Sequence, residues 1–188
     1  MIPDQTPNLL ESRTQDIRSA LIVVDMQNAM FHGAAPKNEG RPHDADFVVR
    51  RVCALVDRAR RQEAQIVFVQ HAGDGLVHGS DGWRLIAALR PQFPDWVVDK
   101  TGASIFDGTN LAAQLKAVGI RRLIVAGASA DDGIADSCRE AVERGFEVVL
   151  AADAHTVRAG DAEARIARHN AALSGPARVL EAGDVAFA

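Results

Sequence analysis

An aspartate and a lysine each follow a short apolar run in this 188-residue sequence, and together they could transfer protons. Asp25 comes directly after the run 21–24, whose residues Leu-Ile-Val-Val are typical of a buried strand. Lys100 ends a second such run, which begins at Trp96. Burial raises the pKa of a carboxyl group, and a nearby ammonium group lowers it. A carboxyl group tuned in this way can act as a general acid or base, so we expect Asp25 and Lys100 to be catalytic.

Three further residues are predicted to contact a substrate. Gln70 and His71 end a predicted strand beside Asp25 and could form hydrogen bonds with a bound molecule. Trp83 could close over the site, although such a residue more commonly packs into the core. The catalytic pair has ordinary alternatives as well, because Asp25 could anchor a loop and Lys100 could be a solvated lysine.

A glycine-containing turn follows a third apolar run and supplies a different kind of group. The turn spans 127–133 with the sequence Gly-Ala-Ser-Ala-Asp-Asp-Gly and leads into a helical pattern. Its backbone N–H groups and the helix N-terminus would stabilise an anion, or an oxygen that gains negative charge. We predict that Ser129 and Gly133 shape this oxyanion-binding turn and that Asp132 contacts the substrate. The simpler role for both Asp131 and Asp132 is helix capping.

The histidines and glycines do not form a metal-binding or nucleotide-binding pattern. His71 and His78 could supply only part of the four-ligand set that zinc requires. No Gly-x-Gly-x-x-Gly or Walker-type loop follows any predicted strand, which argues against a nucleotide-binding domain. We therefore expect neither a metal ion nor another cofactor.

Short apolar runs alternate with amphipathic stretches along the chain, and this order predicts an α/β fold. Such an alternation is typical of a parallel sheet, and right-handed connections place the helices on both of its faces. Two loops rich in Gly, Pro, His and Asp, 31–42 and 73–81, follow strand ends and are expected to form the rim of a pocket. The predicted strands are 20–24, 65–69, 96–98, 123–126, 147–150 and 177–180. The predicted helices are 46–61, 110–118, 131–144 and 161–173.

Composition and charge favour one globular domain over residues 1–188, with an N-terminal extension at 1–18. The chain has 47% hydrophobic and 24% charged residues, which is normal for a globular protein. Its 21 Lys and Arg and 25 Asp and Glu give a net charge of -4, so nucleic acid is not expected as a partner. We expect a cytoplasmic protein without membrane contact, because the N-terminus lacks a secretory pattern and no apolar run approaches the roughly 20 residues of a membrane span. Cys53 and Cys138 fall in helical patterns and are predicted to be buried thiols.

Three segments of the sequence together carry a family resemblance. They are 21–27, the Lys100 strand end followed by 104–111, and 125–127 leading into Asp153-Ala154. In this order and spacing they resemble the isochorismatase-like hydrolase superfamily, over about residues 20–179. The segments 155–156 and 168–174 also resemble the cysteine hydrolase branch of that superfamily. The resemblance implies a three-layer αβα fold with a six-stranded parallel sheet of order 3-2-1-4-5-6, and assembly into a homo-oligomer, either a dimer or a tetramer.

The resemblance also implies roles for individual residues. In most members an Asp at the position of Asp25, a Lys at that of Lys100 and a Cys at the start of the third element hydrolyse amides. A cis peptide bond, expected here at Ala128–Ser129, lets the amides of Ser129 and residue 133 form an oxyanion hole.

The sequence departs from this pattern at the nucleophile, because Gly133 aligns with the expected cysteine. Cys138 is not a replacement, since five residues along a helix rotate its sulfur by about 140° and shift it by about 7.5 Å. True isochorismatases resemble this sequence in having Gly at that position, and they cleave a vinyl ether with the Asp as the acid. By that analogy Asp25 donates the proton, Lys100 orients the substrate or stabilises a carboxylate, and Gly133 leaves room for the substrate.

The sequence therefore predicts a hydrolase of the isochorismatase family that lacks the cysteine nucleophile. Asp25 and Lys100 would hydrolyse a small-molecule substrate by acid–base chemistry, at a vinyl ether or a related C–O or C–N bond. The alternative is a catalytically inactive family member that binds a small molecule or forms oligomers.

Overall fold

The computed structural model describes residues 18–32, 41–73, 75–158 and 160–187, and most of the predicted extension 1–18 and rim loop 31–42 lies outside these ranges. No helix among the described residues has the length and apolar character needed to cross a bilayer. The strands are β1 (Ser19–Val24), β2 (Gln65–His71), β3 (Trp96–Lys100), β4 (Arg122–Gly127), β5 (Glu147–His155) and β6 (Arg178–Leu180). The helices are α1 (Asn28–Phe31), α2 (Ala45–Arg61), α3 (Leu111–Ala117), α4 (Ala135–Glu143) and α5 (Ala162–Leu173), and a π turn (Ala130–Ile134) precedes α4.

The six strands form one parallel sheet in the order β3-β2-β1-β4-β5-β6, which confirms the predicted fold. The carboxyl ends of the central strands are level, because Val24 of β1 pairs with Val69 of β2 and with Gly127 of β4. The strand order changes direction between β1 and β4. Open α/β sheets bind ligands beyond the carboxyl ends of the strands at such a point. Asp25 lies there, directly after the last residue of β1.

Both faces of the central strand β1 are buried, and this explains its uninterrupted apolar run. Leu21 and Val23 pack with apolar side chains of α2 on one face of the sheet. Ile22 and Val24 pack with apolar side chains of α3 and α4 on the opposite face. The two cores make the three layers that the sequence predicts, and they hold the end of β1 rigidly in place.

β5 and the helix predicted at 131–144 differ most from their predicted bounds. β5 continues to His155, past the apolar run that ends at Leu150, because the polar side chain of Asp153 is paired with Arg51 of α2 and can therefore lie within a strand. The helix predicted to begin at 131 starts with the π turn instead, and regular α-helix begins only at Ala135.

The two cysteines differ in burial. Cys138 is fully buried on α4, as predicted, whereas Cys53 on α2 is only partly buried. The core-facing side of α2 is occupied by Val52, Leu55 and Val56. Each residue of an α-helix is rotated by about 100° from the one before it, so Cys53 lies at the flank of this apolar face.

Gly127 lets β4 approach β1 closely at the end of the sheet where Asp25 lies. Its φ is +124°, and a Cβ atom there would lie 2.1 Å from the carbonyl oxygen of Val24. The same oxygen accepts a hydrogen bond of 2.9 Å from the N–H of Ala128. The two backbones therefore cannot separate to admit a side chain without losing this hydrogen bond.

We predict that Gly127→Ala lowers the free energy of unfolding by at least about 3 kcal/mol, because backbone strain and a backbone clash combine at this position. Urea denaturation measures the change. Gly175→Ala is the control, since no atom lies within 4 Å of a Cβ at Gly175 and its φ is not in the left-handed region. Equal unfolding midpoints for the two variants would contradict the close approach described here.

Candidate active site

Asp25 and Lys100 form a buried ion pair beyond the carboxyl ends of β1 and β3. Nζ of Lys100 lies 2.9 Å from Oδ2 of Asp25, and the two side chains are 2% and 10% exposed. The two strands are not neighbours, because β2 lies between them. Adjacent strands are about 4.8 Å apart, so the lysine side chain must extend across the end of β2 to reach the carboxylate. The pairing expected from the sequence is thus present.

Two backbone carbonyl groups complete the surroundings of the Lys100 ammonium group. Nζ donates to the carbonyl oxygen of Gly102 at 3.2 Å and to that of Ala103 at 2.8 Å. An ammonium group has three hydrogens, and together with Asp25 these carbonyls provide three acceptors. Lys100 is therefore held in place against Asp25, and no donor remains for a substrate carboxylate. This differs from the predicted role, in which Lys100 contacts the substrate directly.

The Asp25 carboxyl group is placed to exchange a proton. Burial raises its pKa, the charge of Lys100 and its hydrogen bond lower it, and the net pKa lies above the usual range for aspartate. Its second oxygen, Oδ1, is buried and has no hydrogen-bond partner among the described residues. A buried carboxylate oxygen without a partner is costly, and a proton or a donor on a bound molecule would remove this cost. Oδ1 is therefore the atom of Asp25 at which we expect chemistry.

The turn after β4 contains the expected cis peptide bond between Ala128 and Ser129. The Ser129 hydroxyl accepts a hydrogen bond of 3.3 Å from the N–H of Asp131, so Ser129 caps this turn. The N–H groups of Gly133 and Ile134 both donate to the carbonyl oxygen of Ser129, each at 3.2 Å. The Gly133 amide is thus already partnered within the turn. An oxyanion contact from this amide would have to replace that hydrogen bond, and it stays a prediction.

Gly133 faces Lys100, as its alignment with the family nucleophile requires. A Cβ atom at Gly133 would lie 3.3 Å from Nζ of Lys100 and 2.8 Å from the carbonyl oxygen of Ala103. The carbonyl group therefore occupies the space that a side chain at 133 would need. The expectation that Gly133 leaves room for a substrate stays a prediction, and the carbonyl group of Ala103 is the nearest neighbour of that space.

Gln27 and Gln70 attach the rim segment around Trp83 to the sheet. Nε2 of Gln27 donates to the carbonyl oxygen of Trp83 at 2.8 Å and to that of His71 at 3.0 Å. Oε1 of Gln27 accepts from the N–H of His71 at 2.9 Å. Gln70 donates to the same Trp83 oxygen at 2.5 Å, so its amide group anchors the rim and is not directed at a substrate in this structure.

Gln27 is a site residue that sequence reasoning missed. It is fully buried although it is polar, and it lies two residues after Asp25. The available signal was its position in the segment 21–27, where an amide side chain comes shortly after Asp25 and the end of a strand. Such a side chain commonly provides backbone hydrogen bonds where neighbouring strands finish.

His71 and Trp83 remain candidates for contact with a substrate. The imidazole of His71 lies close enough to Asp25 to act on its charge. Trp83 is half-buried, its ring centroid lies 4.3 Å from that of His78, and its Nε1 has no hydrogen-bond partner among the described residues. Nε2 of His78 in turn lies 3.2 Å from Oδ2 of Asp99. The rim thus offers aromatic surface and one indole donor.

Asp131 and Asp132 lie in the π turn, whose N-cap residue is Ser129. Asp131 is paired with two side chains of α5, at 3.0 Å from Nε2 of His169 and in direct contact with Arg165. Burial alone would raise its pKa, but the hydrogen bonds from Arg165 and His169 outweigh burial and hold the pKa below its usual range. Capping by Asp131 is therefore corrected. Contact of Asp132 with a substrate stays a prediction.

Among the described residues, no group of three or more His, Cys, Asp or Glu side chains is arranged to bind a metal ion.

This chain is similar to proteins that are named as a hydrolase, a nicotinamidase and an amidase. Streptothricin hydrolase of Streptomyces noursei is 38% identical over 139 residues, which cover 72% of this chain and 49% of that protein. Nicotinamidase 3 of Arabidopsis thaliana is 27% identical over 164 residues, covering 77% of each chain. The crystal structure of N-carbamoylsarcosine amidase from Thermoplasma acidophilum matches with a TM-score of 0.76 and 27% identity, over 90% of this chain and 99% of that one.

The chain spans about half the length of the streptothricin hydrolases that it matches. The isochorismatase domain, however, matches residues 19–182, which include every strand and helix described above. On this match, the chain belongs to the isochorismatase family.

Proposed function

We propose that this protein is a hydrolase of a small molecule in which the buried carboxyl group of Asp25 transfers the proton. The observation that supports this most directly is the state of Asp25, which is paired with Lys100 through Oδ2 and has an unpartnered Oδ1. The family relatives named as hydrolases and amidases support the general reaction class. The homo-oligomer and the cytoplasmic location remain predictions from the sequence.

A thiol route through an acyl-enzyme has no support among the described cysteines. Cys138 is fully buried in the core on α4, and burial raises the pKa of its thiol to about 12. A thiol with so high a pKa is almost entirely protonated at neutral pH and is a poor nucleophile. Cys53 lies on α2, and burial raises its pKa as well. The position that faces Lys100 is Gly133, which has no nucleophile.

Protonation of a vinyl ether fits a site with one carboxyl acid and no nucleophile. Asp25 gives its proton to the terminal carbon of the double bond, the π electrons form the new C–H bond, and the ether carbon becomes an oxocarbenium ion. Water adds to this carbon and returns a proton to the Asp25 carboxylate. The resulting hemiketal breaks its C–O bond to release an alcohol and a ketone. The positive charge of the intermediate is stabilised by the carboxylate that its formation leaves behind.

Lys100 has a supporting role in this mechanism. Its three hydrogens are used by Asp25, Gly102 and Ala103, so it holds the carboxyl group in place and stabilises its ionised form after proton transfer. The partnered Gly133 amide also favours this chemistry over amide hydrolysis, because an oxocarbenium intermediate requires no oxyanion hole. Related C–O or C–N bonds that break through a cation are equally suitable.

We predict that Asp25→Asn lowers kcat for a vinyl ether probe by about 10²- to 10⁴-fold, since an amide cannot donate the proton. Isochorismate and simple enol ethers, tested beside small amides and esters, serve as probes in a steady-state assay. Asp57→Asn, an exposed substitution on α2, is the matched control.

The Asp25→Asn variant leaves the buried Lys100 without a counter-charge, which can cost about 3–5 kcal/mol of stability. The double variant with Lys100→Gln removes both charges and separates loss of catalysis from loss of folding. Full activity in either variant would contradict the proposed role of Asp25. A wild-type protein that binds these probes and turns none of them over would instead support the inactive binding protein.

We also predict that Lys100→Gln moves the alkaline limb of the pH–kcat profile to higher pH. Lys100 lowers the pKa of Asp25, so its removal raises that pKa further, and the protonated acid persists to higher pH. Removal of an opposite charge at this distance shifts a pKa by about 1–3 units. Lys116→Gln on α3, whose Nζ donates to the carbonyl oxygen of Arg144, is the control. A limb that stays in place or moves to lower pH would show that Asp25 is not the titrating acid.

A further inference from the structure

The side of the π turn that faces away from Lys100 is attached to helix α5 by charged contacts. Oδ1 of Asp131 lies 3.0 Å from Nε2 of His169, and Oδ2 contacts the guanidinium group of Arg165. The two partners are four residues apart on α5, and therefore one helical turn apart on the same face. The Asp131 side chain is 20% exposed, which makes the contact more than a solvated surface pair.

Apolar packing and a backbone hydrogen bond attach the same turn at the same place. Ala130 packs with Val157 and with Ala162 and Ile166 of α5. The N–H of Ala130 donates to the carbonyl oxygen of Thr156 at 2.8 Å. The outer side of the turn is therefore fixed to α5 and to the segment after β5, and Asp131 is its charged anchor.

The inner side of the turn contacts the loop that holds Lys100. The hydroxyl of Ser137 donates to the carbonyl oxygen of Gly133 at 2.6 Å and accepts from the N–H of Ile105 at 3.0 Å. Gly133 also lies against the carbonyl group of Ala103, which is the closest carbonyl acceptor of the Lys100 ammonium group. A displacement of the turn would thus move an atom that positions Lys100, and would change the distance between Lys100 and Asp25.

We propose that Asp131 is a positioning residue which, through Arg165 and His169, fixes the turn 128–134 and thereby sets the contact between Lys100 and Asp25. The contacts run from α5 to Asp131, through the turn to the loop 102–105, and then to the ion pair. The proposal rests on the proposed function only for its effect on turnover, since its structural effect on Asp25 can be measured without a substrate.

The test measures the titration of the Asp25 carboxyl group by ¹³C NMR. The protein is labelled at its aspartates, and the Asp25 signal is identified as the one that is missing in Asp25→Asn. If Asp131 positions the turn, both Asp131→Asn and Arg165→Gln weaken the hold of Lys100 on Asp25. The titration midpoint then rises in both variants, by about half a pH unit or more. Arg165→Lys keeps the charge and should give a smaller rise.

The removed charges could also act on Asp25 directly through their electric field. This direct effect shifts the titration midpoint of Asp25 in opposite directions in the two single variants. Loss of the negative charge of Asp131 would lower the midpoint of Asp25, and loss of the positive charge of Arg165 would raise it. The double variant Asp131→Asn with Arg165→Gln leaves the summed charge unchanged, so a rise there comes from positioning. The double variant also replaces Asp131→Asn if the loss of the contact between Asp131 and Arg165 prevents folding. Asp136→Asn, an exposed substitution on α4 whose carboxylate pairs with Arg139 at 3.1 Å, is the control and should not shift the midpoint.

Opposite shifts in the two single variants, or an unchanged midpoint in the double variant, would overturn the proposal. A role in stability alone would lower the unfolding midpoint in urea and leave the Asp25 titration in place, which overturns it as well. With the vinyl ether probe, the alkaline limb of the pH–kcat profile should move to higher pH in the Asp131 and Arg165 variants while KM changes little. Absence of turnover in the wild-type protein contradicts the proposed function, but the titration still decides the role of Asp131.

Discussion

The site depends on one buried ion pair, between Asp25 and Lys100. Burial opposes the charge of the carboxylate and the ammonium group opposes that effect, so the protonation of Asp25 depends on the position of the Lys100 nitrogen atom. The surrounding structure fixes this position from several directions. The two cores make β1 rigid, the carbonyl groups of Gly102 and Ala103 hold the ammonium group, and the π turn packs behind them. A family fold is thus combined with a site that has a carboxyl group and no thiol.

The absence of a side chain at position 133 changes more than the nucleophile. In this structure the freed volume is filled by the carbonyl group of Ala103, which bonds to Lys100. The Gly133 amide meanwhile bonds within its own turn. Two features that amide hydrolysis requires, a nucleophile and an open amide donor, are thus altered together at one residue. The acid role proposed for Asp25 needs neither of them, and Asp25 has its partner Lys100 and an unpartnered oxygen.

The fold and the central pair could be predicted because their signals are local. Apolar runs and amphipathic stretches determine the order of strands and helices, and the polar residues that follow those runs must meet at one edge of a parallel sheet. The contacts that were missed join distant segments. Asp131 was expected to cap a helix, because nothing near it in the chain indicates Arg165 or His169. The occupation of space by Ala103 is a matter of backbone packing, which side-chain patterns do not report.

Lys100 belongs to β3, which is an edge strand of the sheet. Edge strands have a partner on one side only, and in proteins they open locally at a lower free energy than central strands do. Asp25, by contrast, follows the central strand β1, so the acid and its counter-ion have unequal local stabilities. On heating, fraying of β3 would withdraw the ammonium group while β1 and both cores stay folded. We therefore expect the contact between Lys100 and Asp25 to be lost on heating before global unfolding, while most of the secondary structure is still present.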